Sequence, residues 1–256
     1  MCHSAAVSDG AFDERIAAGY DEACGPMNAP EILGPTVDVL VDLAGEGRAL
    51  EFAIGTGRVA LPLLERGVEV HGIELSRAMV AQLRAKAGGN RIPVEIGDMT
   101  STRVDGTFSL VYLVYNTISN LLTQQEQVAC FRNAAGHLAP GGHFLIEVGV
   151  PALRRLPLGE SLVTFEASDD HVGIDEYDVA TQRLVSHHYW IRGDSVERFD
   201  SHHRYAWPAE YDLMARLAGM EPAHRWQNWH RDPFTGESTA HVSTWTRTDQ
   251  VARGTS

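Results

Sequence analysis

The stretch Ala49-Leu50-Glu51-Phe52-Ala53-Ile54-Gly55-Thr56-Gly57-Arg58 decides how this chain is read. A short apolar run ends in two closely spaced glycines, and a helical pattern from Val59 to Arg66 follows. That is a strand turning sharply into a helix. The glycines let the backbone approach a ligand closely, and a helix N-terminus offers free N–H groups to an anion.

Working outward, the next apolar run ends in His71-Gly72-Ile73-Glu74-Leu75-Ser76. An acid at that strand end can accept hydrogen bonds from both hydroxyls of a ribose. A third run is followed by Gly97-Asp98-Met99, where Asp98 can take the exocyclic amine of an adenine. Three signals at the carboxyl ends of successive strands describe one adenosine-shaped crevice.

The surrounding pattern agrees. From Ala49 to Val150, β-rich apolar runs alternate with helical ones, which predicts a parallel sheet wrapped by helices. The strands expected are Ala49 to Ile54, Val68 to Ile73, Val94 to Ile96, Phe108 to Val114 and His143 to Val148. The helices between them are Val59 to Arg66, Ser76 to Ala87 and Gln124 to Leu138, the last closed by Pro140-Gly141-Gly142. Ahead of them, Ala11 to Ala23 and Ala29 to Leu43 read as two amphipathic helices. After Val150 the pattern turns strand-like without helices: Leu162 to Ala167, His171 to Val179, Arg183 to Ile191 and Val196 to Trp207. Ala180-Thr181-Gln182 and Gly193-Asp194 suit hairpins, so an antiparallel meander is expected. A helix, Ala209 to Leu217, and strands His224 to Trp229 and Ala240 to Arg247 complete the reading.

On Glu51, Gly55, Gly57, Glu74 and Asp98 the sequence resembles the class I S-adenosylmethionine-dependent methyltransferases, from about Arg48 to Val150. The resemblance implies an α/β, Rossmann-like seven-stranded methyltransferase sheet with an N-terminal helical cover and an antiparallel β insertion after the fifth strand. It implies S-adenosyl-L-methionine as cofactor, with the methionine moiety on the glycine loop below Glu51 and the ribose on Glu74 beside Leu75. Asp98 and its neighbour Met99 are expected at the adenine, and Tyr20 is expected to close over the cofactor from the first helix. The order of parts is similar to that of small-molecule methyltransferases of natural-product pathways, which transfer to nitrogen or oxygen. The parts expected are a helical cover (1–47), a cofactor-binding core (48–150), a β cap (151–207) and a C-terminal segment (208–256) returning to the sheet.

Two other readings stay open on the residues alone. Gly55-Thr56-Gly57 with Ala60 also fits the G-x-G-x-x-G/A pattern of a nicotinamide or flavin oxidoreductase, with Glu74 at a suitable distance. A non-catalytic adenosine-binding module is the other.

The catalytic candidates are Tyr115, at the end of the fourth strand where the transferred methyl would point, and His187 in the cap. If Gly193-Asp194 closes its hairpin, Arg192 pairs with Ser195 and His187 with Asp200, an arrangement that suits a general base. Tyr115-Asn116 lacks the Asp with which catechol-type enzymes hold Mg²⁺, so no metal is expected. Met79 is expected on the core face of its helix with Leu83.

With 21 basic against 34 acidic residues the net charge is -13, which repels a phosphate backbone and disfavours a nucleic-acid substrate. Cys2, Cys24 and Cys130 show no C-x-x-C spacing, and Met1 to Gly10 lacks a basic, apolar leader. No apolar run approaches the ~18 residues of a membrane span. A cytoplasmic protein acting on a small molecule is expected.

Overall fold

The computed structural model describes residues 13–248. Cys2, the segment Met1 to Gly10 and the first residues of the helix expected from Ala11 lie outside them. The main sheet contains β1 (Ala49–Phe52), β2 (Val70–Glu74), β3 (Val94–Ile96), β4 (Phe108–Leu113), β5 (Leu138–Gly149), β10 (Met220–Trp226) and β11 (Ala240–Arg247). Their spatial order is β10-β11-β5-β4-β1-β2-β3. Strands β1 to β5 pair in parallel, β11 lies antiparallel to β5, and β10 antiparallel to β11. Strand order reverses between β1 and β4, so a crevice opens beyond their carboxyl ends.

The central strands are apolar on both faces because helices cover both. On one face α5 (Gln124–His137) and α6 (Pro208–Leu217) pack Phe131, Tyr211 and Met214 onto Phe52, Phe144 and Trp245. On the other, α2 (Pro30–Ala44), α3 (Ala60–Glu65) and α4 (Arg77–Ala85) pack Leu40, Leu63 and Leu83 onto Leu110, Tyr112 and Leu145. Each large apolar side chain buried there contributes roughly 1.5–3 kcal/mol. Helix starts are set by local chemistry. In α1 (Glu14–Ala23), Asp13 accepts from the Ile16 N–H at 2.9 Å. Ser76 accepts from Met79 N–H at the head of α4, and Thr123 and Glu126 form a reciprocal capping box on α5.

Between β5 and α6 the chain forms the expected meander of β6 (Leu162–Ala167), β7 (His171–Asp178), β8 (Arg183–Arg192) and β9 (Ser195–Arg204). The register is as read from the turn: Arg192 pairs with Ser195 and His187 with Asp200. Its root is held by Val163, Tyr177 and Tyr205 packed with Leu153 and Leu156, and by Arg204. That guanidinium is buried and donates to Gln127 Oε1 at 2.5 Å, to Gln182 Oε1 at 2.9 Å and to Glu210 Oε1 at 2.7 Å.

Two boundaries differ from the expectation for physical reasons. Strand β5 starts at Leu138 and carries Pro140-Gly141-Gly142 inside it as an irregularity, where the pairing with β4 shifts between Phe108 and Leu110. Strand β10 starts at Met220, not His224, and contains Pro222 beside a register shift. A proline is tolerated there because β10 is the edge of the sheet. No helix among the described residues is long and apolar enough to cross a membrane.

Candidate active site

A cavity of about 630 Å³ opens at the reversal point and runs from the glycine turn to the underside of the meander. Its floor includes Tyr20, Ala53, Gly55, Glu74 and Met79, its rim Tyr115 and Asn116, and its roof Phe165, Asp175, Ser186, His188, Ser201 and His203.

The floor is built by the turn after β1. Ala53 and Gly55 both take left-handed backbone angles, φ 52° and 56°, and Gly57 follows at 79°. A β-carbon on Gly57 would stand 2.4 Å from Leu83 Cδ1, so glycine is required there by packing as well as by conformation. Glu74 is buried at the end of β2, accepting the Gly55 N–H through one carboxylate oxygen and the Ser76 N–H through the other, both at 2.8 Å. These two bonds fix the orientation of the carboxylate at the edge of the cavity.

Glu51 lies beneath this turn, outside the cavity lining, where it accepts from the Tyr112 hydroxyl at 2.8 Å. Burial pushes its carboxyl up to about 8, so it is largely protonated at neutral pH. It braces β1 against β4 and contributes little charge to the crevice. Helix α1 is fastened over the turn by Asp21, which accepts from Thr56 Oγ1 at 2.6 Å and pairs with Lys86 Nζ at 2.6 Å. Lys86 also donates to the Thr56 carbonyl at 2.8 Å. Tyr20, the preceding residue, thereby reaches the cavity.

The rim is strained. Tyr115 and Asn116 sit at φ 59° and 57°, each a non-glycine residue in the left-handed region. Such backbone costs on the order of 1–3 kcal/mol and persists only where neighbours fix it. Glu147 does so: its carboxylate accepts from Tyr115 N–H at 3.0 Å and from Trp229 Nε1–H at 2.8 Å. Asn116 Oδ1 accepts from Gly149 N–H at 2.6 Å, and the Arg58 guanidinium lies 5.5 Å from the Tyr115 ring centroid.

Of the residues singled out from sequence, Tyr20, Gly55, Glu74 and Tyr115 line one cavity. Gly57 shapes the turn without lining it. Leu75, Asp98 and Met99 are not among the lining residues. Asp98 Oδ1 accepts from Thr100 N–H at 2.7 Å in a tight turn, and Met99 packs against the core. Met79 is buried on its core face, as expected, and also lines the cavity. His187 needs correction. Alternation along β8 turns Ser186 and His188 into the cavity and His187 away, where it meets Asp200 at 2.8 Å and Glu176 at 3.0 Å. It belongs to an outer charge cluster with Arg198, out of reach of an acceptor in the cavity.

Asp175, Ser186 and Ser201 in the roof were not among the residues singled out from sequence. Asp175 accepts from Ser186 Oγ at 2.6 Å, and burial raises its carboxyl above the usual range. His203 is held down to about 4 by burial and is therefore neutral, with Ser201 Oγ 2.6 Å from its Nε2.

The donor set fits an adenosine-containing cation. An oriented carboxylate stands at the end of β2 beside the glycine turn, and Tyr20 and Tyr115 line the same cavity. Comparisons with known proteins agree. Residues 49–142 match the model of a methyltransferase domain. The structure of the CcbJ methyltransferase from Streptomyces caelestis is 35% identical, with 94% of this chain and 100% of that chain covered at a TM-score of 0.82. A cypemycin N-terminal methyltransferase from Streptomyces sp is 28% identical over 230 residues, 89% of this chain and 94% of its own length. A third, weaker likeness is the S-adenosylmethionine-bound structure of CalS10, an amino pentose methyltransferase from Micromonospora echinaspora. It is 22% identical, with 85% of this chain and 91% of that chain covered at a TM-score of 0.64, a likeness of fold.

Proposed function

Because the chain belongs to the class I S-adenosylmethionine-dependent methyltransferases, we propose that it methylates a nitrogen or oxygen of a small molecule held beneath the meander, without a metal ion. The nicotinamide, flavin and non-catalytic readings fall with that membership.

The observation that carries the acceptor's placement is the single cavity shared by Glu74 and Gly55 on one side and Asp175, Ser186 and Ser201 on the other. S-adenosylmethionine supplies an activated methyl group on a cationic sulfur. In this reading Glu74 holds the ribose and the turn at Gly55 and Gly57 holds the methionine portion; Asp98, Met99 and Leu75, outside the cavity lining, are assigned to the adenine on the family resemblance alone. Tyr20 closes the site from α1, and Tyr115 stands where acceptor and methyl meet. Glu51 keeps the floor rigid. The protein's work is then to align the acceptor, exclude water and remove a proton, since oriented proximity alone accounts for much of the acceleration of a displacement.

Nitrogen is favoured by a carboxylate in the roof, Asp175, suited to a cationic acceptor. The names of the relatives from Streptomyces and Micromonospora, an N-terminal and an amino pentose methyltransferase, point the same way. Metal independence is supported by Tyr115 and Asn116 standing where a metal-dependent enzyme needs an acid. Cytoplasmic residence rests on the cysteine pattern alone.

The test is incubation with methyl-labelled S-adenosylmethionine and a panel of amine- and hydroxyl-bearing small molecules, with and without excess EDTA. Labelled product on an amine, with a rate unchanged by EDTA, is expected. Loss of turnover in EDTA restored by Mg²⁺ would sink the metal-free mechanism. Turnover unaffected by filling the roof with Ser201→Trp would sink the acceptor's placement.

A further inference from the structure

The roof of the cavity carries a line of ring nitrogens. His188 lines the cavity, and its Nδ1 lies 3.1 Å from Nε2 of His171. His171 is buried, and its Nδ1 lies 3.0 Å from Glu166 Oε2, off the line of the N–H. The Glu166 side chain is half exposed to solvent. The rings are held in place. His171 stacks on Trp190 at 3.9 Å between centroids and 17° between planes. Phe165 meets His188 edge-on at 5.4 Å. Phe165 fits there because Gly173, opposite His188 in the register, has no side chain; a β-carbon would stand 2.2 Å from the ring.

This chain of contacts selects one placement of protons. The Glu166 carboxylate oxygen 3.0 Å from His171 Nδ1 makes no hydrogen bond in this geometry but favours a proton on that nitrogen electrostatically. The reverse would turn a bare lone pair towards an anion 3.0 Å away. His171 Nε2 then accepts from His188 Nδ1–H. That leaves the lone pair on His188 Nε2, which has no protein hydrogen-bond partner among the described residues.

We propose that His188 is the catalytic residue that takes the acceptor's proton, through Nε2, and that His171 and Glu166 are positioning residues that fix its tautomer. This rests on the reading that the acceptor lies beneath the meander. An acceptor amine arriving as an ammonium gives a proton to Nε2 and keeps its lone pair. That pair forms the new N–C bond as the C–S bond breaks, and the electrons of the broken bond go to sulfur. Burial and the adjacent His171 hold His188 below the ordinary imidazole range, while Asp175, Glu166 and Asp200 pull it up. His203 is the other titratable neighbour. The ring is therefore neutral when it meets the acceptor, and the imidazolium it becomes is stabilised by those carboxylates.

The tautomer can be read without an acceptor, from long-range ¹H–¹⁵N spectra of the histidine rings in the full chain saturated with S-adenosylhomocysteine. His188→Gln assigns the ring by the signals it removes. At pH 7.5 His188 is expected to be neutral with its proton on Nδ1, and to shift towards Nε2–H in His171→Phe. Should that variant not fold, exposed Glu166→Gln is the substitute, with a shift in the same direction. An Nε2–H tautomer in the unaltered protein, or no change in either variant, overturns the relay and leaves the acceptor's placement standing. With an amine acceptor in hand, His188→Gln should lower kcat by about 10² to 10⁴-fold, with unchanged affinity for S-adenosylhomocysteine. Glu166→Gln should move the acid limb of the kcat pH profile. A loss under tenfold for His188→Gln also overturns the assignment.

Discussion

Asp21, on the helix ahead of the sheet, accepts a 2.6 Å hydrogen bond from Thr56 in the middle of the glycine turn. Helix α1 and the glycine turn are thus one hydrogen-bonded unit, and in the proposed reading α1 closes over the cofactor. Asp21→Ala should release α1 and withdraw Tyr20 from the cavity. Calorimetry with S-adenosylhomocysteine should read a loss of about 1 kcal/mol, because the carboxylate is partly exposed and its pairing is screened. Burial alone would raise the Asp21 pKa, but the bonds from Lys86 and Thr56 leave it lowered. The latch is therefore present above the ordinary carboxylate pKa and is lost as pH falls through the lowered one. Affinity that is the same for Asp21→Ala and the unaltered chain would mean that α1 does not act as a lid.

Glu74→Ala should weaken S-adenosylhomocysteine binding by roughly 1.5–3 kcal/mol, the range for hydrogen bonds to a charged group. Part of that loss comes from the turn, since Glu74 also fixes the Gly55 N–H. A thermal melt controls for folding. Equal affinity in a folded variant would place the ribose elsewhere.

Glu210 and Arg204 form a largely buried pair at the root of the meander, shared with Gln182 and Gln124. Burial works against the Glu210 carboxylate, but bonds from Gln182, Arg204 and Gln124 hold its pKa below the usual value. Removing one partner strands the other, so Glu210→Gln should cost about 3–5 kcal/mol in urea unfolding. Arg204→Met with Glu210→Leu should cost less than either single change, and a double-mutant cycle measures the coupling. Additive losses would mean the pair is independent.

His187 now carries a prediction about stability. Hydrogen bonds donated by its ring to Asp200 and Glu176 raise its pKa above the free value. Its stabilising contribution is complete below the unfolded histidine pKa of about 6.5, and disappears as pH rises through the raised folded value. Urea unfolding at successive pH values should show the unaltered chain losing an advantage over His187→Ala across that window. His187→Ala should leave kcat within about tenfold, since the ring faces away from the cavity. A larger loss at constant stability would return His187 to the chemistry.

The parallel strands, the glycine turn and the acid at Glu74 were legible in sequence because each depends on local pattern: apolar runs, positive φ at glycine, and a charged strand end. The pairing of His187 with Asp200 was legible from one turn. Which face of β8 looks inward was not. A buried face is normally marked by apolar residues, but this one lines a cavity and carries Asp175, Ser186, Ser201 and His203, so alternation gave no sign. The restraint of Tyr115 by Glu147, and the grip of Asp21 on Thr56, join residues distant in the chain and needed the fold to appear.

The meander leaves the sheet after Gly149 and gives way to α6 at Pro208, which leads back to the sheet at Met220. Its two ends meet at Tyr177, whose hydroxyl accepts from Ala152 N–H at 3.3 Å and whose ring meets that of Tyr205 edge-on at 5.5 Å. A roof of different length or lining can be grafted there with little added loop-closure cost to the core. In the proposed reading, change of acceptor is a modular event: one contiguous segment is exchanged while the crevice built on Gly55 and Glu74 is inherited unaltered.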